Sequence, residues 1–106
     1  VILMAAEAAN ELGQSGKAAN YVNMIRNRAG LANTTAADQV TLRAAIKQER
    51  RIEFAMEFER FYDLVRWGDA PAVLGAKGYT DKNKYFPIPQ EAIDKSQGVL
   101  VQNPNY

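Results

Sequence analysis

The stretch that decides the fold is KQERRIEFAMEFERFYDLVRWGD, which runs from Lys47 to Asp69. Charged residues alternate in it with apolar and aromatic residues, as in a helix that lies between other helices. A helix that begins with Thr41 as its N-cap is predicted, because several apolar residues then share one face. These residues are Leu42, Ala45, Ile46, Ile52 and Met56.

The apolar residues in the second half of the stretch point in another direction. At 100° per residue, its phenylalanines fall on the side opposite Leu42 and Ile46. Either one long helix is buried on two sides, or the helix breaks near Phe58 and a second helix follows. We favour the break, with a second helix over residues 60–67 that Gly68 closes.

The N-terminal part of the chain predicts two further helices. Residues 1–12 are apolar on most faces, and Gly13 ends this helix. The next helix takes Ser15 as its N-cap and closes at Gly30. Because the connection is so short, residues 1–30 are predicted to form an antiparallel helical hairpin.

After Pro71 the composition changes to residues that are typical of loops. Glycines, the polar run TDKNK and the proline pair of PIPQ indicate loops, with one short helical turn around 91–95. Pro71 is expected to terminate the helical region together with the preceding glycine. The fold class is therefore all-α. Its predicted parts are a hairpin (1–30), a charged helical segment (41–68) and a loop-rich tail (69–106).

The composition excludes several functions. The chain has no cysteine and no histidine, which removes thiolate nucleophiles and the commonest general base and metal ligand. The net charge of +1 offers no basic field for nucleic acid, and no metal or cofactor is implied. The first residues resemble the inside of a helix, so the sequence is expected to be a C-terminal portion of a longer protein.

The charged stretch is predicted to be a structural ion-pair network. Glu49 lies on the same helical face as Leu42 and Ile46, and a buried carboxylate needs a partner. Arginines stand close in sequence, and several acid–base pairs have i,i+3 spacing. The predicted members are Glu49, Arg50, Arg51, Glu53, Glu57, Arg60, Asp63 and Arg66.

Two functional interpretations compete with the structural one. Two of the glutamates Glu49, Glu53 and Glu57 could act as an acid/base pair in glycoside hydrolysis. That chemistry needs one carboxyl with a raised pKa, whereas neighbouring arginines lower the pKa of a carboxyl. Phe61, Tyr62 and Trp67 could stack on a sugar ring, although aromatic residues at helical spacing usually belong to a core. Tyr62 and Trp67 are kept as candidate ligand contacts.

The chain also resembles a known family. The run IKQERRIEFAMEFERFYDLVRWGD, the motif PIPQEAID, the closing QNPNY and the earlier NMIRNRAGL resemble the C-terminal part of SusD/RagB proteins. The family commonly has a glycine where this chain has Phe58, and its absence favours a more continuous helix with Phe58 packed in a groove. The signature residues that carry over are Glu49, Arg50, Arg51, Glu53, Glu57, Arg60, Asp63, Arg66 and Trp67.

The resemblance implies a fold and a function. The fold would be a scaffold of tetratricopeptide-like helical hairpins. The proteins would be non-catalytic lipoproteins of the outer membrane of Bacteroidetes, lipid-anchored through an N-terminal part upstream of these residues. They would bind oligosaccharides or peptides and pass them to a SusC-type TonB-dependent transporter. No ligand-binding residue carries over, because family ligand sites lie upstream of this region. The alternative function is a helical protein–protein interaction module without a small-molecule ligand.

Overall fold

The computed structural model describes residues 1–106, and it contains six α-helices and no β-strand. The helices are α1 (Ile2–Glu11), α2 (Ser15–Arg28), α3 (Gln39–Glu53), α4 (Arg60–Arg66), α5 (Ala70–Leu74) and α6 (Gln90–Lys95). Two 3₁₀ helices, Gly75–Lys77 and Asp81–Lys84, lie between α5 and α6. The chain divides into two compact units, Val1–Arg60 and Phe61–Tyr106. The predicted all-α fold class is confirmed.

Gly13 makes the turn between α1 and α2. Its φ is +73°, a left-handed conformation that costs glycine little. The backbone N–H of Gly13 donates to the carbonyl of Asn10, and that of Gln14 donates to Ala9 at 2.9 Å, which forms a Schellman motif. Because the chain reverses so tightly, α2 begins one residue earlier than predicted. Gln14 flanks the helix, and the predicted N-cap Ser15 is its first residue.

The core of the first unit lies where α1, α2 and α3 meet. It consists of two small clusters: Ala6, Val22 and Ile46 in one, and Ala9, Ala18 and Leu42 in the other. Alanine at the contact points lets the helix backbones approach closely. The outward face of α1 stays exposed: Met4 is 62% exposed and Leu12 is 74% exposed. Only one side of this apolar helix is therefore buried within the chain.

Asp38 is the N-cap of α3. Its Oδ1 accepts hydrogen bonds from the backbone N–H groups of Val40 at 2.9 Å and Thr41 at 3.0 Å. The predicted N-cap, Thr41, is wrong by three residues. An aspartate at this position satisfies two backbone donors and places a negative charge at the positive end of the helix dipole. The threonine hydroxyl reinforces the cap by donating to Asp38 Oδ2 at 2.6 Å.

The helical segment is interrupted between α3 and α4, as we favoured from the sequence. Helix α3 ends at Glu53 and α4 begins at Arg60. Two residues of the connection, Met56 and Phe58, have φ values of +69° and +62°. The alternative of a continuous helix with Phe58 in a groove is wrong, because that side chain is 90% exposed.

The structure also corrects the apolar face that the sequence predicted for this helix. Leu42 and Ile46 are buried as expected, but Ile52 is 60% exposed and Met56 is 93% exposed. Met56 lies beyond the end of the helix. Ile52 lies roughly 100° around the helix from the centre of the buried stripe, which Leu42, Ile46, Glu49 and Arg50 form.

The second unit consists of short helices joined by turns. Gly68, with a φ of +74°, closes α4 as predicted. Pro71 does not terminate the helical region, because α5 follows directly and contains this proline in its first turn. Proline is well tolerated there, since the first turn needs no donor from it. The predicted turn around 91–95 is present as α6.

Side chains of the closing motif QNPNY form hydrogen bonds with the backbone around the proline motif PIPQ. The amide of Gln102 accepts from the N–H of Ile88 and donates to its carbonyl, both at 2.8 Å. Asn103 Nδ2 donates to the carbonyl of Phe86 at 2.7 Å. Because the prolines on either side of Ile88 cannot donate, side-chain amides replace the missing backbone ladder.

Candidate functional site

Glu49 is the central acidic residue of the charged stretch. It is 7% exposed, and its carboxylate accepts a hydrogen bond from the guanidinium of Arg26 on α2. The Nε of Arg26 also donates to the carbonyl of Ala32 at 2.7 Å. The burial of Glu49 agrees with its helical face, but its partner comes from another helix and not from the charged stretch itself.

Glu53 lies one turn beyond Glu49 and also pairs with α2. Nη2 of Arg28 lies 2.6 Å from each carboxylate oxygen of Glu53. Arg50 stands three residues before Glu53 on the same helix. In the structure the Arg50 guanidinium carbon lies 4.8 Å from the centroid of the Phe54 ring, a cation–π distance.

A third ion pair joins α3 to α1. Arg43 donates from Nε and Nη2 to the two carboxylate oxygens of Glu11, at 2.7 and 2.6 Å. These hydrogen bonds lower the pKa of Glu11 from its ordinary value and raise the pKa of Arg43. These three ion pairs of the first unit each link two different helices.

The other predicted members are arranged differently. Asp63 and Arg66 meet at i,i+3 spacing, with Nε 2.9 Å from Oδ1, and Asp63 is 3% exposed. Glu57 lies between α3 and α4, outside any helix, so the i,i+3 spacing of Glu57 and Arg60 in the sequence does not correspond to one helical turn. Arg51 is exposed on α3.

The two aromatic candidates differ in accessibility. Tyr62 is 56% exposed, and its ring meets that of Phe61 edge to face with centroids 5.9 Å apart. Trp67 is half-buried, and the Arg66 guanidinium carbon lies 4.7 Å from its ring centroid. One face of Trp67 is thus occupied by a cation, whereas Tyr62 presents much of its ring to solvent.

Sequence reasoning missed three arginines: Arg26, Arg28 and Arg43. All three lie outside Lys47–Asp69, and each pairs with an acid on another helix. Residue spacing within one helix could therefore not identify them. A usable signal was present, however. Two acids four residues apart on a buried helical face require cations on a neighbouring helix, and the last turn of α2 carries two arginines.

The structure contains no group of three or more acidic, histidine or cysteine side chains able to hold a metal ion. None of its helices is long and apolar enough to cross a membrane. Helices packed through alanines and cross-linked by ion pairs define the class of this protein: an all-α scaffold of tetratricopeptide-like hairpins.

Comparison with known proteins gives the family. The SusD family model matches residues 1–84. SusD-like protein P2 of Formosa agariphila is 34% identical over the whole chain, which covers 24% of that relative. SusD-like protein P25 of the same organism is 46% identical over 64% of the chain, which covers 14% of that relative. The chain belongs to the SusD family.

Solved structures agree with this assignment. A SusD-like protein from Bacteroides fragilis superimposes with a TM-score of 0.86 at 35% identity, over 99% of this chain and 24% of that one. A laminarin-binding SusD-like protein gives 0.82 at 41% identity, over 99% of this chain and 21% of that one. The chain thus spans a quarter or less of the length of these relatives.

Proposed function

We propose that this chain is the helical scaffold of a non-catalytic protein that binds glycan or peptide nutrients at a bacterial cell surface. The single observation that carries the proposal is membership of the SusD family. One similar solved structure is a laminarin-binding SusD-like protein. Another is surface glycan-binding protein A of Bacteroides thetaiotaomicron, which superimposes with a TM-score of 0.75 at 37% identity over 99% of this chain and 23% of that one.

The ion pairs support a scaffold role for the charged stretch. The carboxylate of Glu49 is buried against Arg26, and that of Glu53 faces Arg28. Both acids are held between helices by guanidinium groups, which suits packing and does not suit an acid/base pair that must meet a substrate. The eight-member network predicted from the sequence belongs to this proposal, with the α2 arginines added to it.

The proposal includes a location and a partner. The longer protein would be held at the outer membrane by a lipid anchor outside these residues. It would deliver its ligand to a SusC-type TonB-dependent transporter. Within this chain, Tyr62 and Trp67 remain candidate sugar contacts, and Tyr62 is the more accessible of the two.

The test uses the natural protein that contains this chain. Isothermal titration against a panel of neutral glycans, acidic glycans and peptides should give binding to at least one of them. Chromatography of the same mixtures after prolonged incubation should show the ligand unchanged.

Cleavage of a bound glycan would contradict the proposal. A panel without any binding, combined with recovery of a transporter in a pull-down, would favour the protein–protein interaction module instead. Glu49→Gln separates the enzyme from the scaffold, since an enzyme would lose turnover with little change in melting temperature. We expect a loss of stability.

A further inference from the structure

The second unit contains an open cavity lined by aromatic rings. Its volume is about 340 Å³, within the range of roughly 300–1,000 Å³ that small-molecule sites occupy. Five rings line it, those of Phe61, Tyr79, Tyr85, Phe86 and Tyr106. None of these residues belongs to the ion pairs described above, and only Phe61 was among the aromatic residues that the sequence indicated.

The rings are held in place by the surrounding chain. Phe61 and Tyr79 contact each other with centroids 6.3 Å apart. The hydroxyl of Tyr106 donates to the carbonyl of Tyr85 at 2.8 Å. The bond from Asn103 to the carbonyl of Phe86 fixes the backbone next to it. A ligand would therefore meet a largely preformed aromatic surface, which lowers the entropic cost of binding.

Much of this aromatic surface is open to solvent. Phe86 is 70% exposed, Tyr85 is 47% exposed and Tyr106 is 44% exposed. Rings that fill a core are covered, whereas rings that present a face to water are available to stack on an apolar ligand face. The C–H face of a sugar ring is such a partner.

Polar groups at the cavity suit a hydroxylated ligand. The Oδ1 of Asn83 accepts from the backbone N–H of Thr80 at 2.7 Å and from its hydroxyl. This capping box fixes the amide and leaves its N–H donors for a ligand. Lys77 also lines the cavity and adds an ammonium donor.

The charge around the cavity selects among sugars. No acidic side chain lines it, and the one carboxylate that belongs to a lining residue is the C-terminal group of Tyr106. Residues 77–86 include three lysines and a single aspartate, Asp81. The Lys82 ammonium lies 5.5 Å from the Tyr106 ring centroid, and that of Lys84 lies 5.8 Å from the Tyr85 centroid. A negatively charged ligand is attracted by this arrangement, and a positively charged one is repelled.

From these observations we propose that the cavity binds a sugar ring that carries a negative charge, as a carboxylate or a sulfate. The ring stacks on the aromatic side chains, and its acidic group faces Lys77 and the neighbouring lysines. The proposal takes its ligand class, glycans, from the proposed function. It adds a binding site to a region in which the proposed function names only Tyr62 and Trp67 as candidate sugar contacts.

The experiment is isothermal titration of the 106-residue chain. Trigalacturonate and a sulfated galactan trisaccharide are compared with neutral galactotriose. Binding of at least one acidic sugar, and weaker binding of the neutral one, is expected, and the two acidic arms distinguish carboxylate from sulfate. Equal binding of acidic and neutral sugars, or no binding by a chain whose circular dichroism is helical, would overturn the proposal.

Matched variants test the cavity itself. Phe86→Ala should weaken binding roughly three- to tenfold, the effect of one aromatic contact. Phe86→Tyr should retain binding, and Phe58→Ala, which removes an exposed ring outside the cavity, should leave it unchanged. Lys77→Gln should weaken binding of the acidic sugar more than Lys95→Gln, since Lys95 pairs with Glu91 on α6. Equal effects of each variant and its control would place the ligand elsewhere.

Failure here and failure of the proposed function are distinguishable. If the longer protein binds glycans but the 106-residue chain and its variants give no specific signal, only the cavity proposal fails. If the longer protein cleaves its glycan while the chain still binds an acidic sugar through Phe86, only the proposed function fails.

Discussion

The two Arg–Glu ion pairs between α2 and α3 differ in how far their side chains are buried. The side chain of Glu49 is 9% exposed and that of Arg26 is 26% exposed, whereas Arg28 is 64% exposed. A pair shielded from water loses much more when one partner is removed, because the remaining charge stays buried without compensation. An exposed pair is screened by solvent and contributes little. Of the two ion pairs between α2 and α3, the one between Arg26 and Glu49 is therefore expected to be the more costly to break.

This difference gives a prediction for Glu49. Glu49→Gln should lower the free energy of unfolding by about 3 kcal/mol, because the charge of Arg26 is left without its acid. Arg28→Gln, the control at the exposed pair, should cost less than about 1 kcal/mol. Urea unfolding followed by circular dichroism measures both values. Equal losses for the two variants would show that burial does not separate these pairs.

The connection between α3 and α4 has a left-handed backbone conformation at a residue that is not glycine. Phe58 has a φ of +62°, where an L-residue with a side chain is disfavoured by about 1–2 kcal/mol. The ring is 90% exposed and contributes little packing that would offset this cost. Glycine would adopt the same conformation at little cost.

Glycine at this position should relieve the strain. Phe58→Gly is expected to raise the free energy of unfolding by about 0.5–1 kcal/mol, since the removed strain exceeds the added entropy of the unfolded chain. Phe58→Ala keeps the Cβ atom and should give no such gain. Thermal unfolding of both variants provides the measurement, and a glycine variant less stable than the alanine one would contradict the argument.

Two carboxylates at helix ends, those of Asp38 and Glu11, are expected to make the stability of the fold sensitive to acid. Hydrogen bonds from Thr41 lower the pKa of Asp38 below its ordinary value of 3.8, and those from Arg43 lower the pKa of Glu11 below 4.5. A carboxyl with a lowered pKa in the folded state stabilises the fold above its unfolded pKa. That contribution is lost as the pH falls through the folded value.

Stability should therefore decrease as the pH drops below about 4.5, with part of the decrease due to Asp38. Asp38→Asn retains an amide oxygen for the N-cap but removes the titrating group. The variant should unfold with a shallower dependence on pH, as urea titrations between neutral and acidic pH would show. A pH dependence identical to that of the parent chain would exclude Asp38 as a contributor.

At the scale of the whole molecule, the outward face of α1 is an apolar surface. Met4 and Leu12 are largely exposed, and Ala8 between them is exposed as well. Surfaces of this kind associate in water, because burying them removes apolar area from solvent. The sequence predicted a helix that is apolar on most faces, and the structure shows which of its apolar residues stay exposed.

The 106-residue chain is expected to self-associate or to bind a hydrophobic dye. Sedimentation should then show a mass that rises with concentration. The double variant Met4→Lys/Leu12→Lys should reduce both effects, whereas Met24→Lys on α2, at a residue that is 54% exposed, should change them less. A monomer with sharply cooperative unfolding at all concentrations would contradict the prediction.

The sequence alone determined the all-α class and the closing glycines of three helices, and it favoured the break after α3 over one continuous helix. These features depend on local physics: apolar spacing, the backbone freedom of Gly13, Gly30 and Gly68, and hydrogen bonds within a few residues. The tertiary structure alone decided that Arg26 is the partner of Glu49, although 23 residues separate them. It likewise brought Phe61 and Tyr106 to one cavity. Contacts at such separations depend on how helices pack, and no local pattern encodes them.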